Sequence, residues 1–146
     1  MLKRLDPLLH ADLLYVLAAM GHGDEIALVD GHFPAVSLGN RVVRLDGATI
    51  PRALEAVLTL LPLDDMRDTP ATRMEAFDEP EDLPEICAEL QSVIEAVEGP
   101  RWRIGRLDRQ SFYHRTRAAF AVVVTGETRP HGNLLLTKGI LKPDAS

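Results

Sequence analysis

The run Ile26-Ala27-Leu28-Val29 is apolar at four successive positions and is bounded by Asp24 and Asp30. A strand of that kind has no face to offer water, so the chain must cover it on both sides. The stretch from Phe120 to Thr125 has the same character, and Leu134 to Lys138 supplies a third such strand. Weaker strand patterns lie at Arg41 to Leu45, Thr72 to Phe77 and Trp102 to Arg106. Between them run helical patterns. Asp6 and Pro7 read as N-cap and first helical position of a helix with Leu8, Leu9, Leu13, Leu14, Val16 and Leu17 on its apolar face, ended by Gly21. Asp46-Gly47 is turn chemistry, after which Thr49 and Pro51 open a helix carrying Ile50, Leu54, Val57, Leu58 and Leu61. Residues 62 to 71 read as a loop, and Pro80 and Pro84 flank the start of an acidic amphipathic helix running to about Val97. A short helix is expected from Arg109 to Ala118. Helices alternating with apolar strands predict one layered α/β/α domain over residues 1–146 with a largely parallel central sheet, its strand order unread.

The composition agrees with such a domain. Of 146 residues, 46% are hydrophobic and 26% charged, enough to build a core without disulfides. Cys87, the sole cysteine, can form no internal disulfide and reads as a small buried hydrophobe. A net charge of −6 with no basic block argues against nucleic acid and anionic membranes as partners. No stretch approaches the roughly 20 apolar residues of a membrane span, and the N-terminal residues lack a signal-peptide run. A cytoplasmic protein is expected.

Chemistry concentrates at Gly21-His22-Gly23-Asp24 and at Asp30-Gly31-His32-Phe33-Pro34, on either side of the first strand. A left-handed Gly21 would set His22 beside the last carbonyls of the preceding helix, where the dipole favours imidazolium. Two readings stand for His22: a capping or dipole partner, and a general acid/base. Asp30 ends a buried strand, where carboxylates bond local backbone or line the ligand crevice of α/β sheets. His22, Asp24, Asp30 and His32 also raise the question of a divalent metal, although their spacing matches no tight metal motif. Further groups are Arg109 to Arg115 with Tyr113 and His114, Thr125-Gly126-Glu127, and His131-Gly132-Asn133. Arginine, asparagine and polar rings are the usual partners of a polyhydroxylated ligand.

Taken in order, MGHGDEIALVD at 20 to 30, DGHFPA at 30 to 35, RLDG at 44 to 47, SFYHR at 111 to 115, AFAVVVTGE at 119 to 127 and GNLLLTKGI at 132 to 140 resemble the L-fucose mutarotase and D-ribose pyranase family, on its fucose side. The resemblance covers nearly the whole chain. It implies interconversion of sugar anomers, or of pyranose and furanose forms, by ring opening without a cofactor or metal. It also implies a proton donor at His22 and substrate contacts from Asp30, Arg109, His131, Gly132 and Asn133. His131 departs from the family pattern, where tyrosine is usual; imidazole keeps a hydrogen-bonding ring, shortens its reach and adds a titrating group.

Opening a hemiacetal needs one proton delivered to the ring oxygen and another removed from the anomeric hydroxyl. His22 suits the first step, and His131, Tyr113 or water the second. A straight strand between them would hold His22 and Asp30 up to about 20 to 25 Å apart. One sugar could then meet both only if the 21 to 24 loop folds back, or if they belong to different subunits. The resemblance implies ring-like homo-oligomers, often decamers, with sites near subunit contacts, so a homo-oligomer is expected. The competing readings are a non-catalytic monosaccharide-binding or regulatory protein and, behind it, a metal-dependent enzyme. Which aldose is used stays open.

Overall fold

Strand β1 (Glu25–Val29) takes the place its apolar run requires. It pairs in parallel with β5 (Ala121–Thr125) on one edge and antiparallel with β6 (Leu134–Thr137) on the other. Beyond β5 lies β2 (Val42–Leu45), and beyond β6 lie β3 (Ala71–Met74) and β4 (Gly105–Leu107), giving one six-stranded sheet in the order β2-β5-β1-β6-β3-β4. Every strand but β6 runs in the same direction. The computed structural model describes residues 1–76 and 84–143. Phe77, the expected end of the third strand, and Pro80 lie outside the described residues.

Alternation along the strands divides the interior into two cores. Ile26, Leu28, Val43, Leu45, Val123, Leu134 and Leu136 face one layer. That layer holds α1 (Ala11–Ala19), α3 (Ile50–Leu58) and α4 (Glu85–Glu98). Ala27, Val29, Val122, Val124 and Leu135 face the other way, onto the four-residue α2 (Ala35–Leu38) and α5 (Arg109–Ala118). Helices cover both faces of a largely parallel sheet, as the pattern of alternating elements predicts. No helix among the described residues is long and apolar enough to cross a membrane.

Helix α1 begins later than its sequence suggests. Asp6 accepts the Leu8 amide at 3.0 Å and receives both terminal nitrogens of Arg52, at 2.6 and 2.8 Å, so it fastens a preceding turn to α3. His10 is the N-cap, its Nδ1 accepting from the Leu13 amide at 3.4 Å. The far end differs too. Met20 is extended at the C-cap, and Gly23, at φ 89°, is the left-handed glycine rather than Gly21. Lys138 Nζ donates to the carbonyls of Leu17 and Met20 at 2.7 and 2.6 Å, supplying the cation that the helix C-terminus attracts. His22 is therefore not the dipole partner of α1.

Strand β4 also starts late, because Gln91 of α4 donates to the Trp102 carbonyl at 2.7 Å and accepts the Ile104 amide at 3.0 Å, taking those groups out of the sheet ladder. The stretch after Pro34, where four residues are too few to show a period, forms α2. Helix α5 starts at Arg109 because Asp108 caps it, accepting the Ser111 amide at 2.9 Å; that bond, with one from the Ser111 hydroxyl, holds the Asp108 carboxyl below its usual range.

Phe112 of α5 is completely buried and meets Phe33 edge-to-face at 6.0 Å. Phe112→Ala is expected to lower stability by about 3–5 kcal/mol in urea unfolding, whereas Tyr15→Ala, on the exposed face of α1, should stay within about 0.5 kcal/mol. Equal losses for the two would contradict this packing.

Candidate active site

The strands β1, β3, β4 and β5 all finish at one rim of the sheet, and the reversed β6 begins there. This is the rim at which α/β sheets hold their ligands. A cavity of about 370 Å³ opens at it, lined by Asp30 after β1, Met74, Glu75 and Ala76 at the end of β3, and Arg109 and Tyr113 of α5. Pro130, His131 and Asn133 come from the segment entering β6, and His32, Phe33 and Pro34 complete the lining. Its size sits at the low end of the roughly 300–1,000 Å³ usual for small-molecule sites.

Asp30 and Asn133 are both buried, and they fix each other. The Asp30 amide donates to Asn133 Oδ1 at 2.9 Å, which assigns the Asn133 amide orientation and leaves its NH2 as the group to offer a ligand. Asp30 Oδ1 accepts the His32 amide at 2.9 Å, an aspartate turn that leaves the other carboxylate oxygen as acceptor. His32 Nε2 lies 3.1 Å from the Thr128 carbonyl, so its ring ties this turn to the segment before β6. Tyr113 stands edge-on to Phe33 at 5.5 Å and holds Arg109 twice, through a 3.0 Å bond from Arg109 Nε to the phenol and through the guanidinium 5.3 Å from the ring. The lining thus combines apolar groups (Phe33, Pro34, Met74, Ala76, Pro130) with donors and acceptors.

Asp30, Arg109, His131 and Asn133, singled out from the sequence, are brought together. Gly132 has another place: a Cβ there would come within 3.0 Å of Ile50 and 3.1 Å of Ile86, so its lack of a side chain lets the segment lie against α3 and α4. His131 has φ 74°, a left-handed conformation uncommon for a residue with a Cβ. Glu75 was not evident beforehand; it lines the cavity and pairs with Arg106 of β4 at 3.0 Å.

His22 lies at the opposite rim. The Gly23 amide donates to the Lys138 carbonyl at 2.9 Å, just past the end of β6, so the 21 to 24 turn closes on that rim and does not fold back toward Asp30. Its own partner is Asp64, whose buried carboxylate (5% exposed) lies 3.2 Å from His22 Nε2, while the His22 side chain is 42% exposed. Asp64 is held by the Thr137 carbonyl through its amide and by the Met66 amide through Oδ1. Such a carboxylate fixes imidazole orientation and leaves Nδ1 free to act. Nothing in the sequence signals Asp64, one of several aspartates in a loop 42 positions away. With His22 and Asp24 at one rim and Asp30 and His32 at the other, the four do not converge on an ion. Among the described residues, no group of three or more His, Cys, Asp or Glu is placed to hold a metal.

Three solved structures resemble this one over nearly their whole length. Protein Atu2016 is 39% identical with a TM-score of 0.92, the match covering 97% of each chain. The fucose mutarotase from Streptococcus pneumoniae, in complex with L-fucose, is 37% identical with a TM-score of 0.88, over 97% of this chain and all of that one. RbsD from Bacillus subtilis, complexed with D-ribose, shares the fold at 21% identity and a TM-score of 0.71, over 97% of this chain and all of that one. Residues 3–141 match the RbsD / FucU transport protein family, and the chain belongs to that family.

Proposed function

We propose that this chain is a single-domain, cofactor-independent mutarotase that interconverts the anomers, or the pyranose and furanose forms, of an aldose such as L-fucose. The observation that carries the reading is the cavity at the β1 rim, where Asp30, Arg109, His131 and Asn133 converge among apolar lining residues. Hydroxyls suit the first group, and a 6-deoxy sugar's methyl suits the second. Membership of the family and the likeness to a mutarotase crystallised with L-fucose support the same reaction class.

In this reading His22 is the general acid. Protonated His22 gives its proton to the ring oxygen as the bond from that oxygen to the anomeric carbon breaks, while His131, Tyr113 or water takes the proton of the anomeric hydroxyl. An open-chain aldehyde results. Rotation about the bond next to the carbonyl and closure on its other face, with both proton transfers reversed, give the other anomer.

His22 and Asp30 end opposite rims of a sheet, with five strand residues of roughly 3.3 Å each between them. One sugar therefore meets both only where His22 of one subunit approaches the cavity of another. The His22 rim suits such a contact: Met66 (70% exposed) follows closely on Asp64, and Ile140 (46%) and Leu141 (74%) follow Lys138. Exposed apolar groups of this kind favour burial against a partner. We propose a homo-oligomer on this ground, a decamer being the size the family resemblance suggests, working in the cytoplasm.

Saturation-transfer NMR on several aldoses tests the reaction. Exchange well above the buffer-catalysed rate is expected, greatest for L-fucose, and His22→Ala should slow it at least about a hundred-fold. Binding without faster exchange would instead identify a sugar-binding or regulatory protein. The subunit arrangement has its own test: His22→Ala and Asp30→Asn chains, each inactive alone, are co-expressed in equal amounts. Random assembly leaves about a quarter of the shared sites intact, so roughly that share of activity should return. No recovery would mean that each site lies within one chain.

A further inference from the structure

The segment from Gly126 to Asn133, which belongs to no helix or strand, contributes Pro130, His131 and Asn133 to the cavity lining. At its centre Arg129 grips two carboxylates. Its Nη1 and Nη2 reach Glu89 of α4 at 3.0 and 2.8 Å, and its Nε and Nη2 reach Glu127 at 3.2 Å each. Glu127 is buried, and it also accepts the amides of Arg129 at 3.3 Å and of Ile50 at 3.2 Å. Burial works against its charge, but the Arg129 side chain and these two amides outweigh that and hold the carboxyl below its ordinary range. The arginine is thus a fork between the sheet end of the segment and a helix on the far side of the sheet.

Two residues further on, His131 enters the left-handed region at φ 74° and lines the cavity. A residue with a Cβ keeps that conformation only where its surroundings impose it. The surroundings are α4 again: Cys87 Sγ lies 3.7 Å from the His131 carbonyl, and Gly132 packs on Ile86. With Glu89, the N-terminal part of α4 touches the segment at three places.

We propose that Arg129 is a positioning residue of the sugar site: by locking Glu127 to Glu89 it holds His131 in its left-handed conformation, so that sugar affinity depends on α4. The assignment rests on the mutarotase reading only for its kinetic arm. Arg129→Gln is expected to raise KM for L-fucose roughly ten-fold with a smaller change in kcat, since a displaced His131 is lost chiefly as a contact to the bound sugar. Glu89→Gln, at a half-exposed position where substitutions usually cost little stability, should act in the same direction more weakly. It should add little to Arg129→Gln, because both break the same link. Arg129→Lys, which can reach one carboxylate but not fork between two, should lie between wild type and Arg129→Gln.

The second arm uses no sugar. Ring resonances of His131 should move in Arg129→Gln and Glu89→Gln, while those of His22, at the opposite rim, stay in place. Unmoved His131 resonances with native KM in both variants would overturn the proposal, as would equal displacement of the His22 and His131 resonances, which marks general loosening. If no aldose exchanges faster in wild type, the mutarotase reading fails, and the resonances still decide the role of Arg129.

Discussion

Strand β1 is hydrogen-bonded along both edges and buried on both faces, so it cannot bend, slip or be shortened without exposing apolar groups or breaking ladder bonds. It acts as a rigid spacer between the two groups of polar residues in the molecule. At its end Asp30 is fixed by Asn133, and before its start Gly23 is fixed by the Lys138 carbonyl. Since both anchors come from the segments flanking β6, the strand pair β1–β6 sets the geometry of both rims at once. A histidine held this way by its neighbours on the sheet does not swing toward the cavity of its own chain. A reaction that drew on both rims, as proposed above, would therefore run between chains.

The reversed direction of β6 has a second consequence. In a sheet of parallel strands only carboxyl ends meet at the ligand rim, and residues arriving there come from loops. Here β6 starts at that rim, so Asn133 is locked to a strand residue directly behind it while Pro130 and His131 precede it. The cavity is assembled from strand ends, the loop segments next to them and one helix start, with Arg109 at the first residue of α5. That placement limits the entropy lost on ordering side chains around a ligand.

Much of this was legible in the residues. The apolar runs of β1, β5 and β6 identify themselves because burial on both faces needs apolar residues throughout, and the helix expected from Arg109 to Ala118 forms over those residues. Asp30, Arg109, His131 and Asn133 stand out as hydrogen-bonding types next to strong elements. Whatever depends on distant partners was not legible. Asp6 looks like a helix cap until Arg52, 46 positions on, takes its carboxylate. Lys138 displaces His22 from the end of α1 across more than a hundred residues, and Asp64 becomes the partner of His22 only because the sheet brings its loop to Thr137. The reversal of β6 is invisible for another reason: an apolar strand reads the same in either direction.

Glu127 illustrates how tightly site and scaffold are joined. Helix α3 begins at Ile50 without a side-chain bond from its N-cap Thr49, and the Ile50 amide is satisfied instead by Glu127, 77 positions away. A carboxylate at a helix N-terminus also answers the helix dipole. The approach is possible because residue 126 is glycine: a Cβ there would lie 1.9 Å from the Asp46 carbonyl oxygen. The same Glu127 receives Arg129, so one buried carboxylate starts a core helix and anchors the segment that carries His131. Loss of its charge would disturb α3 and the cavity together, which is why a residue that touches no ligand can matter to both the fold and the site.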